Sequence, residues 1–108
     1  MKNVEHVRSV ARATVFKAMG HPSRVFILEK LQKSPHCVCE LAELVGADIS
    51  TVSRHLAVLR SVGVVTAERR GNEMLYQLTD EKISEVCDLV RTVLVEQTER
   101  QSVTLSDL

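Results

Sequence analysis

Two of the chain's three cysteines, Cys37 and Cys39, stand one residue apart in the run His36-Cys37-Val38-Cys39-Glu40-Leu41. Thiols at that spacing either pack a core or hold something, and as thiolates they are soft donors suited to a thiophilic ion. Cys87 is the only other thiol, and His36 adjoins the pair with a ring nitrogen. A second group, Ser50, Thr51, Ser53 and Arg54, sets short hydroxyls beside a guanidinium. Hydroxyls reach phosphates and base edges at close approach, and arginine can bind guanine bidentately, so this is nucleic-acid chemistry as readily as a solvated polar face. Arg69 and Arg70, next to Gly71, add two cations at what reads as a turn.

The elements that must carry these residues follow from the apolar spacing. Val4, Val7, Ala11, Val15, Ala18 and Met19 recur every three to four positions, so an amphipathic helix is expected over 3–19, ending at Gly20. Pro22 opens a second helix over 22–33, which Ser34-Pro35 stops. Val38, Leu41, Ala42 and Val45 form the stripe of a short third helix over 38–45, closed by Gly46. Asp48 caps a fourth over 49–62, with stripe Ile49, Val52, Leu56 and Leu59, terminated by Gly63. Ser50, Arg54 and Ser61 fall opposite that stripe, with Thr51 and Ser53 on its flanks. Two helices about a tight turn make a helix-turn-helix, whose second helix enters the DNA major groove. Two β-prone runs joined through Arg70-Gly71-Asn72-Glu73 then predict a hairpin over 64–78, a wing whose arginines can meet phosphates or a minor groove. The last helix, over 80–99, carries Ile83, Val86, Cys87, Val90 and Leu94 on one face. The fold class is thus α+β but mainly α: one winged helix-turn-helix domain over 1–101 and a fraying, flexible tail over 102–108.

Composition bounds the function. A chain of 108 residues with 44% apolar content supports one core, and only Phe16, Phe26 and Tyr76 give it aromatic bulk, so a partner chain is expected. No apolar run approaches the roughly 18 residues that span a bilayer, and the N-terminus is amphipathic rather than a secretory signal, so the expected location is cytoplasmic. Thiols stay reduced there, which favours a metal or reactive-thiol role over a structural disulfide. The net charge of zero divides into +4 over residues 1–77 and −4 over 78–108, so one end can face an anionic partner. No Ser/His/Asp or Cys/His set, phosphate-binding glycine loop or carboxylate pair stands at a workable spacing, so an enzyme is not expected.

CVCEL, then STVSRHLAVLRSVGVV, then ERRGNEMLYQL, together with HPSRVFILEKL, resemble the ArsR/SmtB family of metal-responsive winged-helix repressors over about residues 12–80. The resemblance implies a homodimer built on the first and last helices, which act as dimerisation helices. It implies a palindromic operator in double-stranded DNA, with half-sites about one turn apart, released when an inducer binds. The family's groove helix often has a glutamine where this chain has Ile49, which weakens base reading at that position. His55 matches the family's histidine and either touches a phosphate or braces the helix.

The thiol pair flanks the stripe of its helix, about 100° to either side of Val38, so packing does not call for two cysteines. On a regular helix the two would point about 200° apart, so they can grip one ion only if the first turn unwinds or Cys37 stays outside it. A helix N-terminus lowers a thiol from about 8.5. By resemblance, Cys37 and Cys39 match the family's CVC motif, a soft site for As(III), Sb(III), Cd(II) or Pb(II), with no organic cofactor. Ala42 stands where some arsenic sensors have a third cysteine, so Cys87 or His36 would have to complete a three-donor site. The positions of the family's zinc site are Asp80, Lys82, Val93 and Glu96, which cannot complete a zinc tetrahedron. The N-terminal cysteines of the cadmium and lead sensors are missing, leaving His6, so As(III) is the expected inducer. Three rivals stand beside this reading: a repressor sensing oxidants or persulfide through Cys37, Cys39 and Cys87, a small organic inducer, and a protein-interaction winged helix with no DNA role.

Overall fold

The computed structural model describes residues 2–101, so the flexible tail expected over 102–108 lies outside them. The chain runs α1 (Asn3–Met19), α2 (Pro22–Lys33), β1 (His36–Cys37), α3 (Val38–Val45), α4 (Ile49–Ser61), β2 (Val65–Arg70), β3 (Glu73–Leu78) and α5 (Glu81–Arg100). The three strands form one antiparallel sheet in the order β1-β3-β2, with Arg70 opposite Glu73 and Val65 opposite Leu78 in the hairpin. This is a winged helix-turn-helix, five helices and a small sheet.

Local chemistry sets each boundary. Pro22 opens α2 where a missing N–H costs nothing, and His21 Nδ1 accepts the Ser23 N–H at 3.1 Å. Gly46, at φ 78°, closes α3 in a left-handed conformation that a side chain would resist, and Ala42 O accepts both Gly46 N–H and Ala47 N–H. Asp48 Oδ1 accepts the Thr51 N–H at 2.9 Å and starts α4. Three residues of loop therefore turn the chain from α3 into α4.

The core lies where α2, α3, α4 and the root of the wing meet. Ile27, Leu28, Leu41, Val52, Leu56 and Leu59 have no exposed surface at all, and Val64 and Val65 close the cluster from the sheet side. Each of these large side chains contributes about 1.5–3 kcal/mol by leaving water.

Four features depart from the sequence pattern. The strand β1 was not expected, and it pairs His36 with Tyr76 and Cys37 with Leu75. Ile49, assigned to the buried stripe of α4, is exposed, because the first helical residue overhangs the edge of the core. On α1 only Val15, Ala18 and Met19 meet the core, while Val4, Val7, Val10 and Phe16 are exposed. On α5 the expected single face divides: Ile83 and Cys87 pack inward, whereas Val86, Leu89, Val90, Val93 and Leu94 face out of the single chain. No helix among the described residues is long and apolar enough to cross a membrane.

Candidate nucleic-acid interface and thiol turn

Burial of Val52, Leu56 and Leu59 fixes the rotation of α4 and turns its polar face outward. Ser50, Ser53 and Arg54 are exposed and Thr51 is half-buried. Arg54 Nη2 donates to Thr51 Oγ1 at 3.3 Å, one helical turn back, so the guanidinium leans toward the N-terminal half of α4. Ile49 sits exposed at the head of the same face, where an apolar side chain can offer only methyl contact to a base edge.

His55 has a different surrounding. It is half-buried against the start of α2, its ring centroid 4.6 Å from that of His21, with Arg24 Nη1 3.5 Å from its Nδ1. Burial, then the fields of His21, Arg24 and Arg54, hold its imidazole below the usual histidine range. Through these contacts His55 links α4 to the start of α2. Sequence reading passed over His21 and Arg24, because a His-Pro pair followed by an arginine carries no signal beyond the start of a helix.

In the wing, Gly71 at φ 62° and Asn72 make the two-residue turn, and both arginines are exposed at the end of β2. They are not equivalent. Arg70 Nε lies 3.4 Å from Glu68 Oε1, a solvent-exposed pair of small energetic consequence, and faces Glu73 across the strands. Arg69 stands opposite Met74 and has no ion pair among the described residues. Of the two, Arg69 therefore carries the less compensated charge.

The thiol turn joins β1 to α3. Cys37 is the N-cap of α3, with extended backbone at φ −83°, ψ 164°, so it stays outside the helix. It closes a capping box: Glu40 Oε1 accepts the Cys37 N–H at 3.0 Å, and the Glu40 amide faces the Cys37 sulfur. Cys37 is 6% exposed, whereas Cys39, two residues on, is exposed. Packing therefore does call for Cys37, contrary to the helical-wheel expectation, because a cap residue follows the strand before it. The Glu40 amide draws the Cys37 thiol down, but burial and the carboxylates of Glu40 and Glu73 outweigh it and leave the thiol above its usual value. A helix N-terminus lowers a thiol only where charge and burial do not oppose it.

Neither expected third donor joins the pair. Alternation along β1 turns the half-buried His36 to the face opposite Cys37, and its Nδ1 lies 2.7 Å from Ser34 O. Cys87 is half-buried in an apolar cleft with Phe16, Met19, Leu28 and Val90, where burial, Glu29 and Asp88 push its thiol up. Among the described residues no three His, Cys, Asp or Glu side chains converge as a metal site. Asp80, matched to the family's zinc position, instead caps α5 by accepting the Lys82 N–H at 2.8 Å.

A capped helix with outward hydroxyls and an arginine, beside a wing edged with arginines, defines a winged-helix regulator of the DNA-binding class. Residues 21–67 match the family described as "Bacterial regulatory protein, arsR family". The chain belongs to that family. It is 39% identical to the HTH-type transcriptional regulator Rv0081 of Mycobacterium tuberculosis over 98 residues, 90% of this chain and 86% of that protein. The crystal structure of Rv0081 superposes with a TM-score of 0.81 at 33% identity, covering 95% of this chain and 100% of that one. The homodimeric winged helix-turn-helix DNA-binding domain of Mb0332 from Mycobacterium bovis gives a TM-score of 0.85 at 28% identity, covering 93% of each chain. The HTH-type transcriptional repressor SmtB of M. tuberculosis is 37% identical over 76 residues, 70% of this chain and 56% of that protein. These relatives are transcription regulators, not enzymes.

Proposed function

We propose that the chain is a homodimeric transcriptional repressor. It pairs through the apolar faces of α1 and α5, sets Ser50, Thr51, Ser53 and Arg54 of α4 into the major groove of a palindromic operator, and lays Arg69 and Arg70 on the backbone. It lets go when a thiophilic ion, As(III) foremost, binds Cys37 and Cys39. The observation that carries the reading is the division of α4: one face wholly buried, the other a row of exposed hydroxyls and an arginine beside the wing. The valines and leucines left in water on α1 and α5 support pairing, and a relative of the same fold is described as homodimeric.

The inducer step follows from the thiol turn. Cys37 is buried and Cys39 exposed, so one ion can take both sulfurs only if Cys37 leaves the core and the capping box with Glu40 opens. That loosens the first turn of α3, against which α4 packs. The ion then binds free protein better than DNA-bound protein, and a coupling of about 1–3 kcal/mol gives roughly 5- to 150-fold release. Because the Cys37 thiol is held above its usual value, the ion must displace a proton, and its affinity rises with pH.

Ultraviolet thiolate-to-arsenic absorbance on titration with arsenite tests this. Cys37→Ser and Cys39→Ser should each lose the absorbance and the DNA release, while Cys87→Ser reports whether a third sulfur is recruited by movement of α5. A double variant at 37 and 39 that still releases DNA on arsenite addition sinks the metalloid reading. Among the described residues no third donor stands beside the pair, which favours one alternative signal, oxidation or persulfidation of the thiols. Anaerobic titration separates the two, since only the alternative requires an oxidant or a persulfide.

A further inference from the structure

His21, Arg24, Arg54 and His55 gather at the junction of α2 and α4, and among the described residues none of them forms an ion pair; the Asp48 carboxylate at the head of α4 feels Arg54 but does not reach the other three. The ion pairs among the described residues are Arg70–Glu68, Lys82–Asp80 and Arg91–Glu29, all elsewhere. The charged or titratable groups whose fields reach His55 are His21, Arg24 and Arg54. Arg24 Nε is buried and has no hydrogen-bond partner. A guanidinium N–H left buried and unbonded costs free energy that an anion accepting it would recover.

The hydrogen bonds also fix which protons are available. His21 Nδ1 accepts from the Ser23 N–H, so its proton sits on Nε2. His55 Nδ1 lies toward the Arg24 guanidinium, a donor, which leaves its proton on Nε2 as well. The cluster therefore offers guanidinium and imidazole N–H donors together, the set that recognises phosphate oxygens. It lies beside the exposed face of α4, one residue from Arg54, where a groove-reading helix is flanked by a strand's phosphates.

We propose that His21, Arg24 and His55 form an anion site for a phosphate of the DNA backbone, beside the base-reading residues of α4 and distinct from them. This rests on the DNA-binding reading of α4 given above. The phosphate also offsets the charge of a protonated His55, whose imidazole the free protein keeps neutral more readily than usual. The bound state then holds more protons than the free state, so affinity for DNA falls as pH rises through the range in which His55 titrates.

The test uses the wild-type protein and a random-sequence duplex of about three helical turns, with binding followed by fluorescence anisotropy over a salt series. Arg24→Gln should weaken binding about tenfold at fixed salt and lower the slope of log affinity on log salt by about one. Its loss should be the same on any sequence, Arg24→Lys should regain part of it, and His55→Gln should flatten the pH dependence. Arg24→Gln that keeps wild-type affinity and slope, while Arg54→Ala loses both, overturns the site and leaves the DNA-binding reading standing. A pH-independent wild type overturns it too, without relying on any variant's folding. Inorganic phosphate that binds at the cluster, lost in Arg24→Gln, without displacing the duplex at constant ionic strength assigns the site to a free anion and overturns the DNA assignment. A wild type with no salt-dependent affinity for any duplex removes the DNA-binding reading and this site with it.

Discussion

The helix α4 and the thiol turn at the head of α3 are neighbours in the fold, yet beyond Ile49 residue spacing predicts exposure in the first and not in the second. Along α4, Val52, Leu56 and Leu59 are buried while Ser50, Ser53 and Arg54 face out, as a period of 3.6 requires. At the thiol turn, Cys37 and Cys39 sit symmetrically about Val38 on a helical wheel, and one is buried while the other is exposed. The difference lies in the backbone. Every residue that matters in α4 has helical dihedrals, whereas Cys37 is extended and hydrogen-bonded as part of a strand. A helical wheel is valid only inside the helix, and a cap residue points where its preceding strand sends it.

The largest way to break this contrast is to remove the stripe that orients α4. Leu56 has no exposed surface and joins α4 to the core, so Leu56→Ala should cost about 2–5 kcal/mol in urea unfolding, a large share of what a domain this size possesses. Arg54→Ala, two residues away on the exposed face, should change stability by no more than about 0.5 kcal/mol while weakening DNA binding. If both variants lose DNA binding in proportion to lost stability, the exposed face of α4 has no role of its own.

The same contrast explains how much of the fold was legible in the sequence. The winged helix-turn-helix was legible because its helices carry signals at both ends and a stripe between them: Pro22, Asp48, Gly46 and Gly63 are punctuation with a mechanism. A two-residue strand such as β1 has no period to detect, so the pairing of Cys37 with Leu75 and the burial that follows were invisible. The stripes of α1 and α5 were legible as apolar but not as to what covers them, since a pattern identifies a face and not its occupant. The candidate groove residues are local to one helix and could be named, whereas the His21, Arg24 and His55 cluster joins residues 34 positions apart at its extremes, a proximity only the fold creates.

A sharper form of the contrast exchanges single sulfurs. Cys37 caps α3 from inside the core, so Cys37→Ala removes both a cap and a buried side chain and should destabilise by about 1–2 kcal/mol. Cys39→Ala, on the exposed side of the same turn, should stay within about 0.5 kcal/mol of the wild type. Alkylation should follow the same order, Cys39 reacting with iodoacetamide well before Cys37, whose thiol is buried and held in its protonated form. Equal costs and equal alkylation rates would mean that Cys37 does not reside in the core in solution.

The smallest effect lies at the cap of α4, where the pH dependence has a definite sign. Thr51, through its hydroxyl and its amide, holds the Asp48 carboxyl below the usual carboxylate range. A depressed folded value means that the cap's contribution is fully present above the ordinary aspartate range and is lost as pH falls through the folded value. Asp48→Asn keeps an accepting oxygen but no titration, so its stability below pH of about 4 should fall less steeply than the wild type's. Asp48→Ala should lower the melting temperature by a few degrees at neutral pH and show the same flattened acid response. Matching acid unfolding curves for all three proteins would show that Asp48 does not cap α4 in solution, and the orientation of α4 would then depend on its buried stripe alone.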